Sequence, residues 1–596
     1  MDSDKLLAST GHTRDETEFY TPMPAGYEAG KTKFVVVVGT VMSGLGKGIF
    51  ASSLAKLLQD KGLTVAPMKC EGYLNIDSGT LNPFRHGEVF VLDDGMETDM
   101  DLGTYERLLN QNLGGANFTT NGQILSNVLR KERSGGYLGR DVQVIPHVVG
   151  EVKLKLRELA VKSGADVIFV EIGGTVGDYE NSFYLEACRQ LAYEEGENAV
   201  CFVSLTYILA PNALGEQKSK AAQLGIKRLM EVGIQPHIVA CRATDPVDEK
   251  VRQKISMYTN VPMRRVFSMH DLESIYLVPE ALRGAGMDRE VMTLLDLHDR
   301  ADQLHEDNAR DEWRDFVKKL QREKPHHVTI AVTGKYTALR DAYASILKSV
   351  EHAAIAADAD IHLRWIDTTN ITDNNVAAKL ADVHAIIVPG GFGARGAEGK
   401  IACIKYAREN KVPYLGICFG FQMAVIEYAR NMAGITDANS TEFDPGCKHP
   451  VIDILPEQKQ IEGLGGNMRL GGKDVEIAPD TFASEIFADE LSKNKHVRLR
   501  FRHRYEVDPS YINQLQEHGL VFSGKHPTQP IMQVLELPRD QHPFFVGTQA
   551  HPEMHSRPLH PSPLFVGLIK AAIDRQITTQ TAKPDAAKST ESTSAG

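Results

Sequence analysis

Short apolar runs rich in β-branched residues recur along the chain and alternate with longer segments of helical periodicity. This alternation is typical of α/β domains in which helices connect parallel strands. The runs form two series. The first lies at residues 34–38, 167–171, 200–205 and 237–241, and the second at residues 328–332, 361–366, 385–388 and 414–417. We therefore predict two α/β domains, each built on a parallel sheet.

The segments around these series set the expected domain bounds. Residues 300–326 are highly charged with a helical pattern, and we interpret them as a linker between domains at 32–299 and 327–575. We expect residues 1–31 to be a flexible extension and residues 576–596 to be a disordered tail, because polar segments of this kind cannot bury a core.

Composition and charge narrow the class of protein. A chain of 596 residues is too long for one core. A formal net charge of -12 argues against attraction to a nucleic acid polymer or to an anionic membrane. No apolar run approaches the roughly 20 residues of a membrane span, and the N-terminus has no apolar signal-peptide core. Seven scattered cysteines without a C-x-x-C pair suit a reducing compartment. We expect a cytoplasmic protein.

A glycine-rich loop follows the first predicted strand, in the segment Gly39-Thr40-Val41-Met42-Ser43-Gly44-Leu45-Gly46-Lys47-Gly48, and a helical pattern comes next. In this context backbone N–H groups and a helix N-terminus can bind phosphate, and a lysine can neutralise it. The spacing departs from G-x-x-x-x-G-K-[ST], because Gly48 stands where a magnesium-binding hydroxyl is usual. The segment predicts a phosphate site, and an ordinary glycine-rich turn is the alternative.

Carboxylates would then have to hold magnesium. Asp101 and Glu171 are candidates at predicted strand ends, where nucleotides bind in parallel sheets. Each could instead cap a helix or pair with a lysine. Lys218 and Lys220 form a small cationic cluster, which alone would more often be a solvated surface.

The second domain contains G-x-C-x-G around Cys418, the cysteine form of a nucleophile elbow. His551 and Glu553 near the C-terminus complete a possible triad of nucleophile, base and orienting carboxylate. The loop containing Gly390 and Gly391 can supply oxyanion donors. Cys418 alone could be a structural thiol and His551 alone a core histidine, but the three motifs in this order favour amide hydrolysis.

Eleven segments in order resemble the CTP synthase family: SGLGKGI, HGEVFV, ETDMDLGTYER, VLRKERSGGYLG, VQVIPH, EIGGTVGD, CRATDP, PGGFGARGAEGK, LGICFGFQ, NSTEF and RHRYEV. The resemblance covers about residues 32–572. It implies an N-terminal P-loop domain, similar to dethiobiotin synthetase, and a C-terminal class I glutamine amidotransferase domain. It also implies amination of UTP to CTP with ATP, through a 4-phosphorylated UTP, using ammonia from glutamine or added ammonia.

The resemblance also implies site residues. Its catalytic residues are Cys418, His551, Glu553, Lys47 and Lys69. ATP would meet Gly44, Leu45, Gly46, Lys47, Gly48, Ile49, Asp101, His270, Asp271 and Leu272. UTP, or CTP as inhibitor, would meet Ser43, Asp178, Tyr179, Glu180, Lys218, Ser219, Lys220, Ala221, Ala222, Gln223 and Lys254. Glutamine would meet Gly391, Phe419, Gly420, Phe421, Gln422, Glu442 and Arg504. Magnesium would be held by Asp101 and Glu171.

The same resemblance implies GTP as an allosteric activator, CTP as a feedback inhibitor, and a homotetramer able to form filaments.

Some positions depart from the family pattern. Glu71 and Gly72 replace its Asp-Pro, and Ala221-Ala222 replaces Pro-Thr. Phe419 and Phe421 replace the Leu and Met that follow the nucleophile, and Ala550 replaces the Phe before the histidine. We expect Glu71→Asp and Gly72→Pro to be tolerated together and harmful singly.

Two other functions remain open at this point. A different fused P-loop amidotransferase, such as a cobyrinic acid amidase, would activate a carboxylate instead of a pyrimidine carbonyl. The Lys218/Lys220 cluster and the segment from Asp178 to Glu180 argue for a triphosphate substrate instead. A catalytically weak homologue, retained as a filament subunit or nucleotide sensor, is the second alternative, and the altered Lys69-Cys70-Glu71-Gly72-Tyr73 segment keeps it open.

Overall fold

The computed structural model describes residues 20–211, 215–335, 340–454 and 468–581. The chain divides into two compact units. The first comprises Met1–Thr80 and Thr104–Val317, and the second comprises Leu81–Gly103 and Lys318–Gly596. The second unit therefore includes a segment from the N-terminal part of the sequence.

The first unit is built on a seven-stranded sheet whose strands are all parallel, which confirms the predicted fold class. The four predicted strands are present. Their valine- and isoleucine-rich sequences are buried, as expected for a sheet covered by helices on both faces. In spatial order the strands are Phe118–Thr120, Val65–Glu71, Val167–Ile172, Lys33–Gly39, Val200–Tyr207, Ile238–Ala243 and Val266–His270.

Helices connect these strands. The first, Lys47–Asp60, begins directly after the glycine loop and buries Phe50, Leu54 and Leu58 against the sheet. The other helices within this unit are Asn121–Arg133, Val149–Ser163, Ser182–Glu195, Lys220–Glu231, Glu249–Thr259, Val278–Ala285 and Met287–Leu294. The helix Met100–Leu109 begins in the second unit and ends in the first.

The second unit has a nine-stranded sheet that is only partly parallel. The first five strands of its spatial order are parallel, as predicted, and the other four are antiparallel. The order is Ala359–Asp367, His326–Gly334, Ala385–Val388, Tyr414–Ile417, Phe545–Thr548, Met532–Glu536, Val521–Lys525, Arg469–Ile477 and Val497–His503. The antiparallel extension was not predicted.

Two small sheets and several helices complete the second unit. The small sheets contain Ala438–Ser440, His449–Asp453 and Glu506–Val507 in one case, and Phe90–Val91 with Glu97–Thr98 in the other. The helices are Pro83–His86, Ala344–Ala356, Val376–Leu380, Ala397–Glu409, Phe419–Asn431, Phe482–Ile486, Ala488–Lys493, Pro509–Glu517 and Pro563–Thr581. No helix in the described ranges is both long and apolar enough to span a membrane.

The structure differs from the predicted bounds at both ends. Residues 20–31, expected to be flexible, pack on the first unit: the Tyr20 ring contacts Tyr137 and His147, each at 5.5 Å between centroids. Aromatic side chains in this segment bury apolar surface, which its polar composition did not predict. The last helix continues to Thr581, beyond the predicted start of the tail. Residues 1–19 and 582–596 lie outside the described residues.

The predicted linker also has a different character. Much of it is the helix Gln303–Gln321, and the two units divide between Val317 and Lys318 inside that helix. Trp313 is buried in the first unit, with Lys56 Nζ 4.4 Å from its ring centroid. The highly charged sequence did not predict this buried tryptophan. Most of the helix therefore packs within the first unit.

Candidate functional site

Cys418 stands at the turn between the strand Tyr414–Ile417 and the helix Phe419–Asn431. Its φ of 50° and ψ of −97° lie outside the regions that side-chain-bearing residues favour, as in a strained nucleophile elbow. The flanking glycines provide space. A Cβ on Gly416 would lie 2.2 Å from the Tyr414 hydroxyl, and one on Gly420 would lie 2.1 Å from the Val388 carbonyl oxygen. The elbow geometry was predicted from sequence and is present.

His551 and Glu553 lie in the same unit as Cys418. The Nδ1 atom of His551 is 2.7 Å from Oε1 of Glu553, and both residues are buried. Burial alone lowers the pKa of His551, but its electrostatic interactions and hydrogen bonds with Glu553 and Cys418 outweigh this effect and raise the pKa well above its ordinary value. His551 Nε2 is buried, and it is the ring nitrogen that the contact with Glu553 leaves for the thiol of Cys418.

Two groups that sequence reasoning missed touch the sulfur of Cys418. The Sγ atom lies 3.7 Å from the carbonyl oxygen of Arg502, to which it donates, and 3.5 Å from Nε2 of Gln549. Gln549 stands two residues before His551, so its position in the histidine motif was the available signal. The backbone of Arg502 carried no signal, because a carbonyl group is common to every residue.

The predicted oxyanion loop follows the strand Ala385–Val388. A Cβ on Gly390 would lie 3.0 Å from Cε1 of His551, so the loop closely approaches the base. Lys400, which is 3% exposed, donates from Nζ to the Pro389 carbonyl oxygen at 3.0 Å. Burial and the positive charge of Lys335 lower the pKa of Lys400 to about 7. Lys400 was not predicted as a site residue, although it ends the PGGFGARGAEGK motif.

Several residues that were predicted to bind the substrate glutamine lie in the same unit as this centre. Glu442 accepts from the Gly393 N–H at 2.7 Å, and burial raises its pKa against the opposing effects of this bond, Lys335 and Arg504. Gln422 donates to the Tyr505 carbonyl oxygen at 2.9 Å and is buried. A carboxylate with a nearby guanidinium suits the two charged groups of a free amino acid. Of the other predicted residues, Phe421 lies in the core with Phe419, and Gly420 packs on Val388.

The glycine loop of the first unit has the conformation that a phosphate cradle needs. Gly44 and Gly46 have φ of 73° and 76°, and Gly46 directly precedes the helix that begins at Lys47 and contains Gly48 and Ile49. Val41 also has a positive φ, 79°, which is rare for a β-branched residue and marks strain in the loop. Lys47 donates from Nζ to the Gly174 carbonyl oxygen at 2.6 Å.

In the same unit, Lys69 lies between two carboxylates. Its Nζ is 2.8 Å from Oε1 of Glu171 and 3.2 Å from Oε1 of Glu71. The other oxygen of Glu171 accepts from the Tyr105 hydroxyl at 3.1 Å. Lys69 and Glu171 are almost fully buried, so each charge is offset by its partner. The alternative interpretation of Glu171, pairing with a lysine, therefore describes its present contacts, and its partner Lys69 is itself a predicted catalytic residue.

The structure corrects the expected location of Asp101. Instead of ending a strand of the parallel sheet, Asp101 lies in the first turn of the helix Met100–Leu109, just after the hairpin strand Glu97–Thr98. The strand Glu97–Thr98 is too short to appear as an apolar run in the sequence, and this explains why Asp101 was placed at the end of a parallel strand. Asp101 belongs to the second unit and Glu171 to the first. Within the described ranges, no group of three or more His, Cys, Asp or Glu side chains could hold a metal ion.

A small cavity of about 70 Å³ joins two predicted sets of ATP residues that are more than 200 positions apart. Leu45, Gly46 and Ile49 line it on one side, and His270, Asp271 and Leu272 on the other. Arg242, which was not predicted, also lines the cavity. It donates to Asp271 Oδ1 at 2.7 Å and to the Leu45 carbonyl oxygen at 2.9 Å, so it ties the two sides together. Its position in the CRATDP motif was the available signal.

The predicted UTP residues lie on several elements. Tyr179 is 91% exposed, after a turn in which Asp178 accepts from the Thr175 N–H at 2.7 Å. Lys218 forms an ion pair with Glu216; hydrogen bonding to Lys218 and the charge of Lys254 lower the pKa of Glu216. The remaining predicted residues of this site are Ser43, Glu180, Ser219, Lys220 and Ala221, which are at least partly exposed except for Ser219.

Two residues predicted to bind UTP have buried side chains in this structure. Ala222 is fully buried in a hydrophobic cluster with Ile226, because it faces inward on the helix Lys220–Glu231. Gln223 is buried too and donates to Ser219 Oγ at 2.9 Å. A motif match covers a whole segment, whereas successive side chains of a helix point in different directions around its axis.

Comparisons with known proteins cover both units. A family model described as CTP synthase N-terminus matches residues 33–297, and one described as Glutamine amidotransferase class-I matches residues 338–571. A CTP synthase of Thermococcus gammatolerans is 46% identical over 546 residues, which cover 91% of this chain and 99% of that protein. A CTP synthase of Natronomonas pharaonis is 48% identical over 542 residues, covering 91% and 95%. A solved Trypanosoma brucei CTPS glutaminase domain with bound acivicin is 36% identical and covers 41% of this chain and 94% of that chain, with a TM-score of 0.38. The chain belongs to the CTP synthase family.

Proposed function

We propose that this chain converts UTP to CTP at the expense of ATP, with ammonia released from glutamine, and that added ammonia can replace glutamine. The observation that carries the proposal is the ordered Cys418–His551–Glu553 arrangement in a member of the CTP synthase family. The cavity that joins the glycine loop to residues 270–272 supports the nucleotide half of the reaction.

The glutaminase half follows from the geometry of the second unit. Glu553 fixes the Nδ1 side of His551, so Nε2 can take the proton of the Cys418 thiol. The thiolate attacks the glutamine amide carbon, and the oxyanion forms near the N–H groups of the loop that Lys400 holds. Collapse breaks the C–N bond as His551 returns the proton to nitrogen. Ammonia leaves, and water then hydrolyses the thioester to glutamate.

The synthase half rests on the first unit. Lys47, at the start of a helix, and Lys69 supply positive charge where phosphate would bind, and the left-handed glycines expose backbone N–H groups. The uracil O4 attacks the γ-phosphorus of ATP and ADP leaves, which makes C4 susceptible to ammonia. Ammonia attack then releases phosphate and forms CTP. Lys218, Lys220 and Lys254 would bind the UTP triphosphate.

Magnesium fits the donor chemistry of Asp101 and Glu171, since both offer carboxylate oxygens and magnesium usually binds one or two carboxylates together with substrate phosphates. When bound, it would neutralise charge on the transferring phosphoryl group. Glu171 would then exchange part of its contact with Lys69. We expect Asp101→Asn to raise the magnesium concentration required for half-maximal activity, whereas an unchanged magnesium titration would place the ligands elsewhere.

The regulatory part of the proposal rests on the family alone. We propose GTP as an allosteric activator, CTP as a feedback inhibitor, and a homotetramer that can form filaments. Seven free thiols support a reducing, cytoplasmic location.

A steady-state assay tests the proposal. UTP, ATP and glutamine are combined with the protein, and CTP formation is followed by absorbance, with a carboxylate in place of UTP as the control. We expect CTP and glutamate to form together. Absence of CTP with both glutamine and ammonia would overturn the proposed function.

A further inference from the structure

The hairpin of residues 90–98 belongs to the second unit, although it lies within the sequence that matches the N-terminal family model. Its two strands, Phe90–Val91 and Glu97–Thr98, pair antiparallel. The hairpin contacts the strands Val497–His503 and Arg469–Ile477. Asp93 receives a two-nitrogen contact from Arg498, the closer at 2.8 Å, and its carbonyl oxygen accepts from the Gly472 N–H at 2.8 Å.

Two residues of the strand Val497–His503, Arg500 and Arg502, contact the hairpin through their side chains and the catalytic residues through their backbone. The side chain of Arg500 donates to the Val91 carbonyl oxygen at 3.1 Å, and that of Arg502 donates to Oε1 of Glu97 at 2.7 Å. The backbone carbonyls of the same two residues reach the catalytic pair. Arg500 accepts from the His551 N–H at 2.8 Å, and Arg502 accepts from Cys418 Sγ at 3.7 Å.

We propose that the hairpin of residues 90–98 is a positioning element of the glutaminase centre, and that the Arg502–Glu97 ion pair is the contact through which it sets the placement of Cys418. The inference rests on the proposed glutaminase activity. Glu97 and Arg502 are positioning residues in this account, since neither side chain touches the reacting atoms.

The pair has the burial that such a role requires. The side chains of Arg502 and Glu97 are 27% and 10% exposed, so the contact is well shielded from solvent and its loss removes a charge-assisted hydrogen bond. Without this contact the Arg502 side chain would rearrange, and the carbonyl of the same residue would shift with the strand. Nearby, Gly471 leaves room for the hairpin, because a Cβ there would lie 2.5 Å from the Gly95 nitrogen.

The experiment compares three variants with the wild-type full chain. Glu97→Gln keeps the shape and removes the charge, and Glu97→Asp keeps the charge. Asp474→Asn is the matched control, because Asp474 pairs with Arg498 on the adjacent strand at 3.4 Å but is largely exposed. For each variant, kcat and KM for glutamine hydrolysis, the rate of Cys418 alkylation by iodoacetamide, and CTP formation from added ammonia are measured.

We expect Glu97→Gln to lower kcat for glutamine hydrolysis about tenfold, since small misplacements of reacting groups are costly in rate. Alkylation of Cys418 should change too, while KM and ammonia-dependent CTP formation stay within about twofold. Glu97→Asp should recover part of the loss, and Asp474→Asn should resemble wild type.

The inference is overturned if Glu97→Gln hydrolyses glutamine normally, if it loses ammonia-dependent synthesis equally, or if Asp474→Asn shows the same loss. A wild-type protein that does not hydrolyse glutamine would overturn the proposed function as well. Normal wild-type hydrolysis with an unaffected Glu97→Gln would overturn this inference alone.

Discussion

The two catalytic regions of this chain differ in how their charged groups are arranged. In the glutaminase centre, a 2.7 Å contact joins His551 to Glu553, and Cys418 stands on a strained elbow. In the nucleotide region, two of the cations pair with carboxylates of the protein. Lys69 pairs with Glu171, and Lys218 with Glu216.

The difference follows from the chemistry of each substrate. Glutamine brings little charge to the reacting atoms, so the protein itself supplies and orients the nucleophile, the base and the carboxylate. Nucleoside triphosphates bring several negative charges, and a buried lysine without them needs a carboxylate partner. We infer that the glutaminase centre is preorganised, whereas the nucleotide region exchanges ion pairs when it binds its substrates.

Replacing the nucleophile separates the two regions most strongly. Cys418→Ala should lower glutamine hydrolysis by at least about a thousandfold, because no other nucleophile occupies the elbow. CTP formation from added ammonia should remain close to wild type. Parallel assays with both nitrogen sources check this result, and loss of both activities in a folded variant would contradict the division into two centres.

Removing the loop lysine should have the opposite selectivity. Lys47→Ala should lower CTP formation by roughly a hundredfold with glutamine and with ammonia alike, because both routes require phosphoryl transfer. Basal glutamine hydrolysis should persist. The comparison is made at saturating ATP, and retained ammonia-dependent turnover there would remove Lys47 from its assigned role.

The orienting carboxylate can be tested through pH. Glu553 raises the pKa of His551, so Glu553→Gln should let the imidazolium lose its proton at lower pH. The alkaline limb of kcat/KM for glutamine hydrolysis should therefore move to lower pH, with a loss of roughly tenfold to a hundredfold near neutrality. A profile of unchanged shape would indicate that another group sets this limb. Ammonia-dependent synthesis serves as the control.

The smallest effect concerns Gly72 in the nucleotide region, where the structure changes our expectation. A Cβ on Gly72 would lie 2.6 Å from Oδ1 of the buried Asn181 and 3.0 Å from Cβ of Glu180. The glycine therefore provides space, and Gly72→Pro should lower CTP formation about tenfold even when combined with Glu71→Asp. Full activity of that double variant, measured with ammonia, would show that the Asn181 side chain can move away from position 72 without loss of activity.

Much of this architecture could be predicted from the sequence. The apolar runs identified the parallel strands, and the G-x-C-x-G motif identified the elbow, because local patterns determine both. The packing of residues 90–98 on the glutaminase unit could not be predicted, since it depends on contacts such as Arg498 with Asp93, about 400 positions apart. Lys400 was missed because its role comes from burial beside a carbonyl group and a motif position does not reveal burial.

The central claim is that nitrogen released at Cys418 is used by the same enzyme to aminate UTP. Glutamine labelled with ¹⁵N in its side-chain amide is supplied with UTP, ATP and an excess of unlabelled ammonium, and the isotope content of CTP is measured by mass spectrometry. The account predicts CTP that carries the glutamine label far above its fraction in the total ammonia pool. CTP labelled only to the level of that pool would contradict it.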